Sequence, residues 1–368
     1  MPARAPDVVD QVAQQLSDQD IDTLYLFASP ASDFDTLTRQ AAERFPNSNT
    51  ILVTTAGEIG PNGYCEDTVL ATALPRARFR VTPFVIAPLT DLDSTYLSDR
   101  IVQARMQLNA DVPEMPGGFG FLLVDGLSLQ EDRLLSAIAP GMGALPLFGG
   151  SAGDGQSFRK TRLGLNGDVL ENAAILSLVA TDCETHVFSL NNLHPTETRL
   201  VVTGAVPERR LVTHINGAPA AREYARLIGK DPEQLNEFTF AAHPVVVRLG
   251  DQHHVRAIQR VNERGELVFF SAIETGMVLR VARADDLSGH LDRALEEIAR
   301  DRGPTDILAC DCILRRIAAE QGQSARAVSD VLSRNNVVGF STYGEQIGPM
   351  HVNQTMTGVA LSLPRTRP

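Results

Sequence analysis

The chain has 368 residues, 43% of them hydrophobic and 21% charged, with a formal net charge of −12. That length exceeds what one hydrophobic core usually serves, so two domains are expected, and the composition is that of a globular protein without low-complexity tracts. The negative charge argues against non-specific binding to nucleic acid or anionic membrane, no run of about eighteen uncharged apolar residues is present, and MPARAPDVVDQVAQQL has no signal-peptide core, so a cytoplasmic protein with small-molecule or protein partners is expected.

Residues 1–20 read as a lead segment. TLYLFAS at 23–29 predicts a strand, Asp33 caps a helix with Leu37, Ala41 and Phe45 on one face, and Pro46-Asn47 stops it before the apolar run at 51–55. GFLLVD at 120–125, a helix through Leu134, Leu135 and Ile138, and the run ALPLFGG predict a second strand–helix–strand unit. From about 185 to 285, RLVVTGAV, HPVVVRL, HVRAIQRV and ELVFFSAI predict a mainly antiparallel element with one helix at Ala220–Ile228. A helix with Leu287, Leu291, Leu295 and Ile298 on one face stops at Arg302-Gly303-Pro304. DILAC at 306–310, a helix through Ile317 and Ala318, and NVVGFSTYGE form a third unit. Short apolar strands alternating with helices predict an α/β fold of repeated strand–helix–strand units in layered sheets, with a β insertion in the C-terminal half. The domains expected are 21–190 and 191–364, with the boundary around His194-Pro195.

The three units share an ending. ILVTTAGEIGPNGYCEDTVLATAL at 51–74 aligns without a gap on VGFSTYGEQIGPMHVNQTMTGVAL at 338–361, placing Gly57 on Gly344, Glu58 on Glu345 and Thr68 on Thr355. LFGGSAGD at 147–154 is a looser third copy, followed by a hairpin at Asn166-Gly167 and the run AAILSLV.

ACDCILRR at 309–316 followed by GFSTYGEQIGPMHVNQTMTGVAL resembles the C-terminal half of the FIST family of bacterial sensory proteins, and the TTAGEIG and FGGSAGD segments resemble its N-terminal half. Within that family the chain is most similar to the stand-alone nitric-oxide-sensing branch. The resemblance implies a small-ligand sensor rather than an enzyme, a heme b cofactor, and a partner histidine kinase or cyclic-di-GMP enzyme, either a diguanylate cyclase or a phosphodiesterase. The family's Asn-Cys-x-x-Arg pattern falls on Asp311, Cys312 and Arg315, with Asp in place of Asn; its Gly-Glu pair falls on Gly344 and Glu345, after Tyr343; its His-x-Asn-x-Thr falls on His351, Asn353 and Thr355. These are the ligand-binding candidates.

A Gly-acid step at a strand end permits close backbone approach and supplies an acceptor for a ligand amine; it serves equally to cap a turn and close the unit. No Cys-x-x-Cys-His motif is present, so heme would be held without covalent bonds, with His243, after Phe238 and Phe240, and His351 as the axial candidates. Cys310 and Cys312 alternate across Asp311 and face one side, as small apolar thiols or as a shared metal site. A metabolite sensor without heme, gripping its ligand through Arg315 and Glu345, and a thiol hydrolase pairing Cys312 with His351 and Glu345 are the other readings. Exposed strand edges between the halves suit a homodimer.

Overall fold

The computed structural model describes residues 1–16, 19–249, 252–303 and 305–364. The first unit runs through α1 (Val8–Gln15), β1 (Ile21–Ala28), α2 (Phe34–Arg44), β2 (Asn49–Thr54), a short hairpin β3 (Glu58–Gly60) and β4 (Gly63–Cys65), and β5 (Val69–Pro75), and is followed by β6 (Phe79–Ile86). The second has α3 (Ser94–Asp111), β7 (Gly117–Val124), α4 (Glu131–Met142), β8 (Leu147–Ser151), the hairpin β9 (Leu163–Leu165) and β10 (Asp168–Leu170), and β11 (Ala174–Thr181), followed by β12 (Glu184–Leu190). An inserted element then holds β13 (Leu193–Val206), β14 (Leu211–Ile215), β15 (Ala218–Pro219), α5 (Ala220–Ile228), α6 (Glu237–Ala242), β16 (Val245–Leu249), β17 (Gln252–Val255), β18 (Ile258–Val261), β19 (Leu267–Phe269) and β20 (Val278–Ala284). The third unit has α7 (Leu287–Arg302), β21 (Asp306–Cys312), α8 (Ile313–Gln321), α9 (Ala325–Arg334), β22 (Val337–Thr342), the hairpin β23 (Glu345–Ile347) and β24 (Met350–Val352), and β25 (Met356–Ser362).

Local sequence explains the main starts. Asp33, Asp93 and Asp286 each accept a hydrogen bond from a main-chain N–H three residues on, at 3.2, 3.0 and 3.0 Å, satisfying a donor that the first helical turn leaves free. The lead segment is not merely a lead: Val8, Val9 and Val12 bury one face of α1 beside α2. Helix α3 buries Leu97, Ile101 and Leu108 in the same way.

The mixed α/β architecture agrees with the expectation, and its order is cyclic. In each unit two parallel strands are flanked by an antiparallel one: β5 on β1, β11 on β7 and β25 on β21. Each hairpin extends another unit's sheet, β3 on β22, β23 on β8 and β9 on β2. The following strand also crosses over, β6 onto β11 and β12 onto β25. The result is sheets of five, six and six strands around one core, plus an eight-stranded sheet made by the insertion. All three units feed that core: Phe27 stacks on Phe340 at 4.8 Å, Phe121 on Phe148 at 4.8 Å, and Tyr25 meets Phe121 edge-on at 5.3 Å. Each such ring contributes roughly 1.5–3 kcal/mol by burial. The expected division at 190/191 falls between β12 and β13, yet β12 shares a sheet with β25. Hairpins and strands are exchanged across that position, and β13 to β20 form a sheet of their own.

Candidate functional site

The three Gly-acid loops meet in a ring. Ala56 N–H donates to Ser341 C=O at 2.9 Å and Ser341 N–H to Gly57 C=O at 2.7 Å; Gly153 N–H donates to Thr54 C=O at 2.9 Å; Ser151 N–H donates to Gly344 C=O at 2.8 Å. Glycine is required here by contact. A Cβ on Gly344 would lie 2.3 Å from His351 Cε1, and one on Gly57, whose φ is +126°, would lie 2.0 Å from Arg316 Nη1.

The first and third acids make the same bonds. Glu58 accepts from the Thr55 hydroxyl at 2.5 Å and from the Thr68 hydroxyl at 2.5 Å; Glu345 accepts from the Thr342 hydroxyl at 2.5 Å and from the Thr355 hydroxyl at 2.8 Å. Both carboxyls are fully buried, and both are spent on their own loops, the turn-closing role. Burial raises Glu58 and pushes Glu345 up to about 8, with the Asp311 charge adding to it and the threonine bonds opposing. The second acid departs from the pattern: Asp154 receives the main-chain N–H groups of Phe158, Arg159 and Lys160 at 2.7–2.8 Å and the hydroxyl of Tyr343.

The candidate residues of the third unit gather, but in two places. On one side Asp311 accepts from Arg315 Nε at 2.7 Å and from the Tyr64 hydroxyl at 2.5 Å, all largely buried, leaving Arg315 Nη1 unpartnered. Asp311, standing where the family has Asn, is therefore an acceptor for two donors. Cys312 is buried at the start of α8, and burial, then the Glu345 charge, pushes its thiol well up, the opposite of what a thiolate nucleophile needs. Cys310 packs in the central core while Cys312 faces the insertion, and among the described residues no three or more His, Cys, Asp or Glu side chains are grouped to hold a metal ion.

On the other side, Tyr343, Gly344, His351 and Asn353 sit where the insertion caps the ring. Phe158 stacks on Tyr343 at 4.4 Å and Phe270 of the insertion lies 5.7 Å from Phe158. His351 is buried and held at Nδ1 by the Gln346 amide at 3.3 Å, while its Nε2 and the Asn353 Oδ1 have no partner. Burial lowers the His351 pKa. Thr355 belongs instead to the Glu345 clamp.

Sequence reasoning missed the insertion's contribution. Arg256 is 8% exposed, forms no ion pair among the described residues, and has an unpartnered Nε. Beside it Arg210 donates to Phe270 C=O and to Glu131 at 2.5 Å at the start of α4, and Ser271 Oγ is unpartnered. Through their charges Glu131 and Asp132 raise the His351 pKa while Arg210 and Arg256 lower it. A helix start facing an inserted arginine has no short motif, so no local signal marked these residues.

The His351 ring lies against Gly344, and His243, half-buried at the C-terminal cap of α6, is fixed through its C=O by the Tyr224 hydroxyl at 2.6 Å. A groove of about 730 Å³ lies elsewhere, between β5 and β21, and neither histidine lines it.

A FIST N domain matches residues 22–218 and a FIST C domain matches 220–348. An uncharacterised protein of Methanocaldococcus jannaschii is 22% identical over 286 residues, covering 66% of this chain and 54% of that protein, so the chain spans about half the relative's length. Among the described residues no helix is long and apolar enough to cross a membrane. With both domain models matched along most of its length, the chain belongs to the FIST family, a sensory family of signal transduction.

Proposed function

We propose that the chain senses a small anionic metabolite, an amino acid or related carboxylate, where the eight-stranded sheet caps the ring of Gly-acid loops, and that it reports to a signalling partner in trans. The observation that carries this reading is Arg256: a residue 8% exposed, in no ion pair among the described residues, with its Nε unpartnered and the Asp132 charge acting on it only from beyond contact. A buried charge without a counter-ion in contact is costly, and a ligand carboxylate would pair with it and reach the unpartnered atoms of Ser271, His351 and Asn353. Tyr343, Phe158 and Phe270 supply an aromatic wall for the ligand's apolar part. The partner class is the histidine kinase, diguanylate cyclase or phosphodiesterase implied by the resemblance.

The test is a thermal-shift series over the amino acids and small dicarboxylates with the wild type and Arg256→Met. A ligand at about 100 times its Kd should stabilise the wild type by about 2.7 kcal/mol and leave the variant unmoved. A flat response across the series would overturn the reading. A Soret band on adding hemin, retained in Arg256→Met and lost on replacing His351, would favour the heme alternative instead.

A further inference from the structure

Two of the three seams between units are closed by an added strand, and the third is open among the described residues. β6 pairs with β11 from Phe79↔Thr181 to Ile86↔Ala174, and β12 pairs with β25 from Glu184↔Ser362 to Leu190↔Met356. The equivalent edge is that of β5, which ends its five-stranded sheet. Strand then covering helix is the order at each seam: α3 packs on β6, α7 on β12, and α1 shares with Ala71 and Ala73 of β5 one apolar cluster. Ahead of α1, the pairing is already begun. Met1 exchanges hydrogen bonds with Val69 at 2.8 and 3.0 Å, and Ala3 N–H donates to Asp67 C=O at 2.7 Å, so Met1–Ala3 lie antiparallel to the start of β5, as the ends of β6 and β12 lie on β11 and β25.

Beyond Val69 the edge continues without a partner among the described residues. Since Val69 turns both main-chain groups outward, Ala71 and Ala73 do so too, while Leu70, Thr72 and Leu74 turn theirs to β1. From Val69 to Pro75 the strand carries no charge, whereas free edges are ordinarily guarded by charge, proline or a bulge; here only Pro75, at the far end, guards. Alongside runs the groove of about 730 Å³, walled by Leu70, Leu74, Phe119, Ile307, Leu308 and Leu361.

From this continuity we infer that the β5 edge is the docking site for an extended segment of a partner protein, which adds an antiparallel strand and completes the third seam. The segment spans the six positions opposite Leu70 to Pro75, a count set by the printed strand. Its residues opposite Leu70, Thr72 and Leu74 are apolar, because they enter the groove as Phe79 and Val81 of β6 and Val187 of β12 enter the central core. The surface is independent of the Arg256 site.

The probe is the fluorescently labelled peptide FRVTPFVI, the sequence of β6, added to the full chain, with amide exchange followed by NMR. Saturable binding is expected, slowing exchange at Ala71 and Ala73 by about tenfold or more, while Leu70 and Thr72, bonded to β1, are slow from the start. Ala73→Pro removes one outward donor without touching the β1 pairing and should weaken the peptide about tenfold. Absence of saturable binding, slow exchange at Ala71 and Ala73 in the free monomer, or equal affinity in a folded Ala73→Pro protein would overturn the proposal. Protection of the same amides through concentration-dependent self-association without peptide would assign the edge to a second copy and overturn it as well. If Ala73→Pro fails to fold, the exchange pattern of the wild type alone decides.

Discussion

Thr355 closes on Glu345 through two bonds to one oxygen, its hydroxyl at 2.8 Å and its N–H at 3.2 Å, and Thr68 does the same to Glu58 at 2.5 and 3.3 Å, although the two pairs are separated by most of the chain. Each pair ties the end of a hairpin back to the Gly-acid step that began it. The step is thus a clamp.

Thr355→Val and Thr68→Val should therefore each destabilise the fold by about 1–3 kcal/mol, the cost of leaving a buried acceptor short of a donor. Urea unfolding measures this. Losses below about 0.5 kcal/mol in both, the level of an ordinary surface substitution, would mean that the hydroxyls close nothing.

The pH dependence follows from Glu345, whose folded pKa is pushed from 4.5 up to about 8. The folded state holds this proton more tightly than the unfolded chain, so the contribution is full below about 4.5 and is lost as pH rises through about 8. Glu345→Gln keeps a neutral side chain at every pH. The wild type should lose stability relative to the variant between pH 5 and 8.5, by at most on the order of 4 kcal/mol; parallel urea midpoints for the two proteins across that range would refute it.

Gly344→Ala should cost on the order of 1–3 kcal/mol, because the new methyl would meet the His351 ring at 2.3 Å inside a packed interior. Combining it with His351→Ala should recover much of the loss, so that the double-mutant cycle shows a coupling of about 1 kcal/mol or more. Strict additivity would show that the two groups do not compete for the space.

The Arg210–Glu131 pair, at 2.5 Å with both side chains nearly out of solvent, locks the insertion onto α4. Arg210→Met alone should cost about 3–5 kcal/mol by leaving Glu131 charged and buried, while Arg210→Met with Glu131→Met should restore most of that. Calorimetric melting of the three proteins measures it. A double variant as unstable as the single one would remove the ion pair as the cause.

The units themselves were legible in the sequence for physical reasons. Runs such as TLYLFAS and DILAC are short, apolar and punctuated by caps and prolines, and local patterning of that kind follows from helices covering parallel strands. The gap-free match of 51–74 on 338–361 also set Gly57, Glu58 and Thr68 on Gly344, Glu345 and Thr355, without saying that each threonine closes on its acid. The family followed from the same residues.

What only the tertiary structure decided is how the units are joined and where polar groups are left over. Nothing local in EIG or EQI says that these strands extend another unit's sheet, because the partner strand is hundreds of residues away for one of them and main-chain pairing carries no sequence code. Arg256 is one arginine among many until the fold removes it from water with no ion pair among the described residues. The edge of β5 reads as an ordinary strand until the other two seams show which partner it lacks among the described residues. Periodicity records burial along a segment; exchange, burial of charge and an unfilled edge depend on contacts between distant segments, and those exist only once the chain has closed on itself.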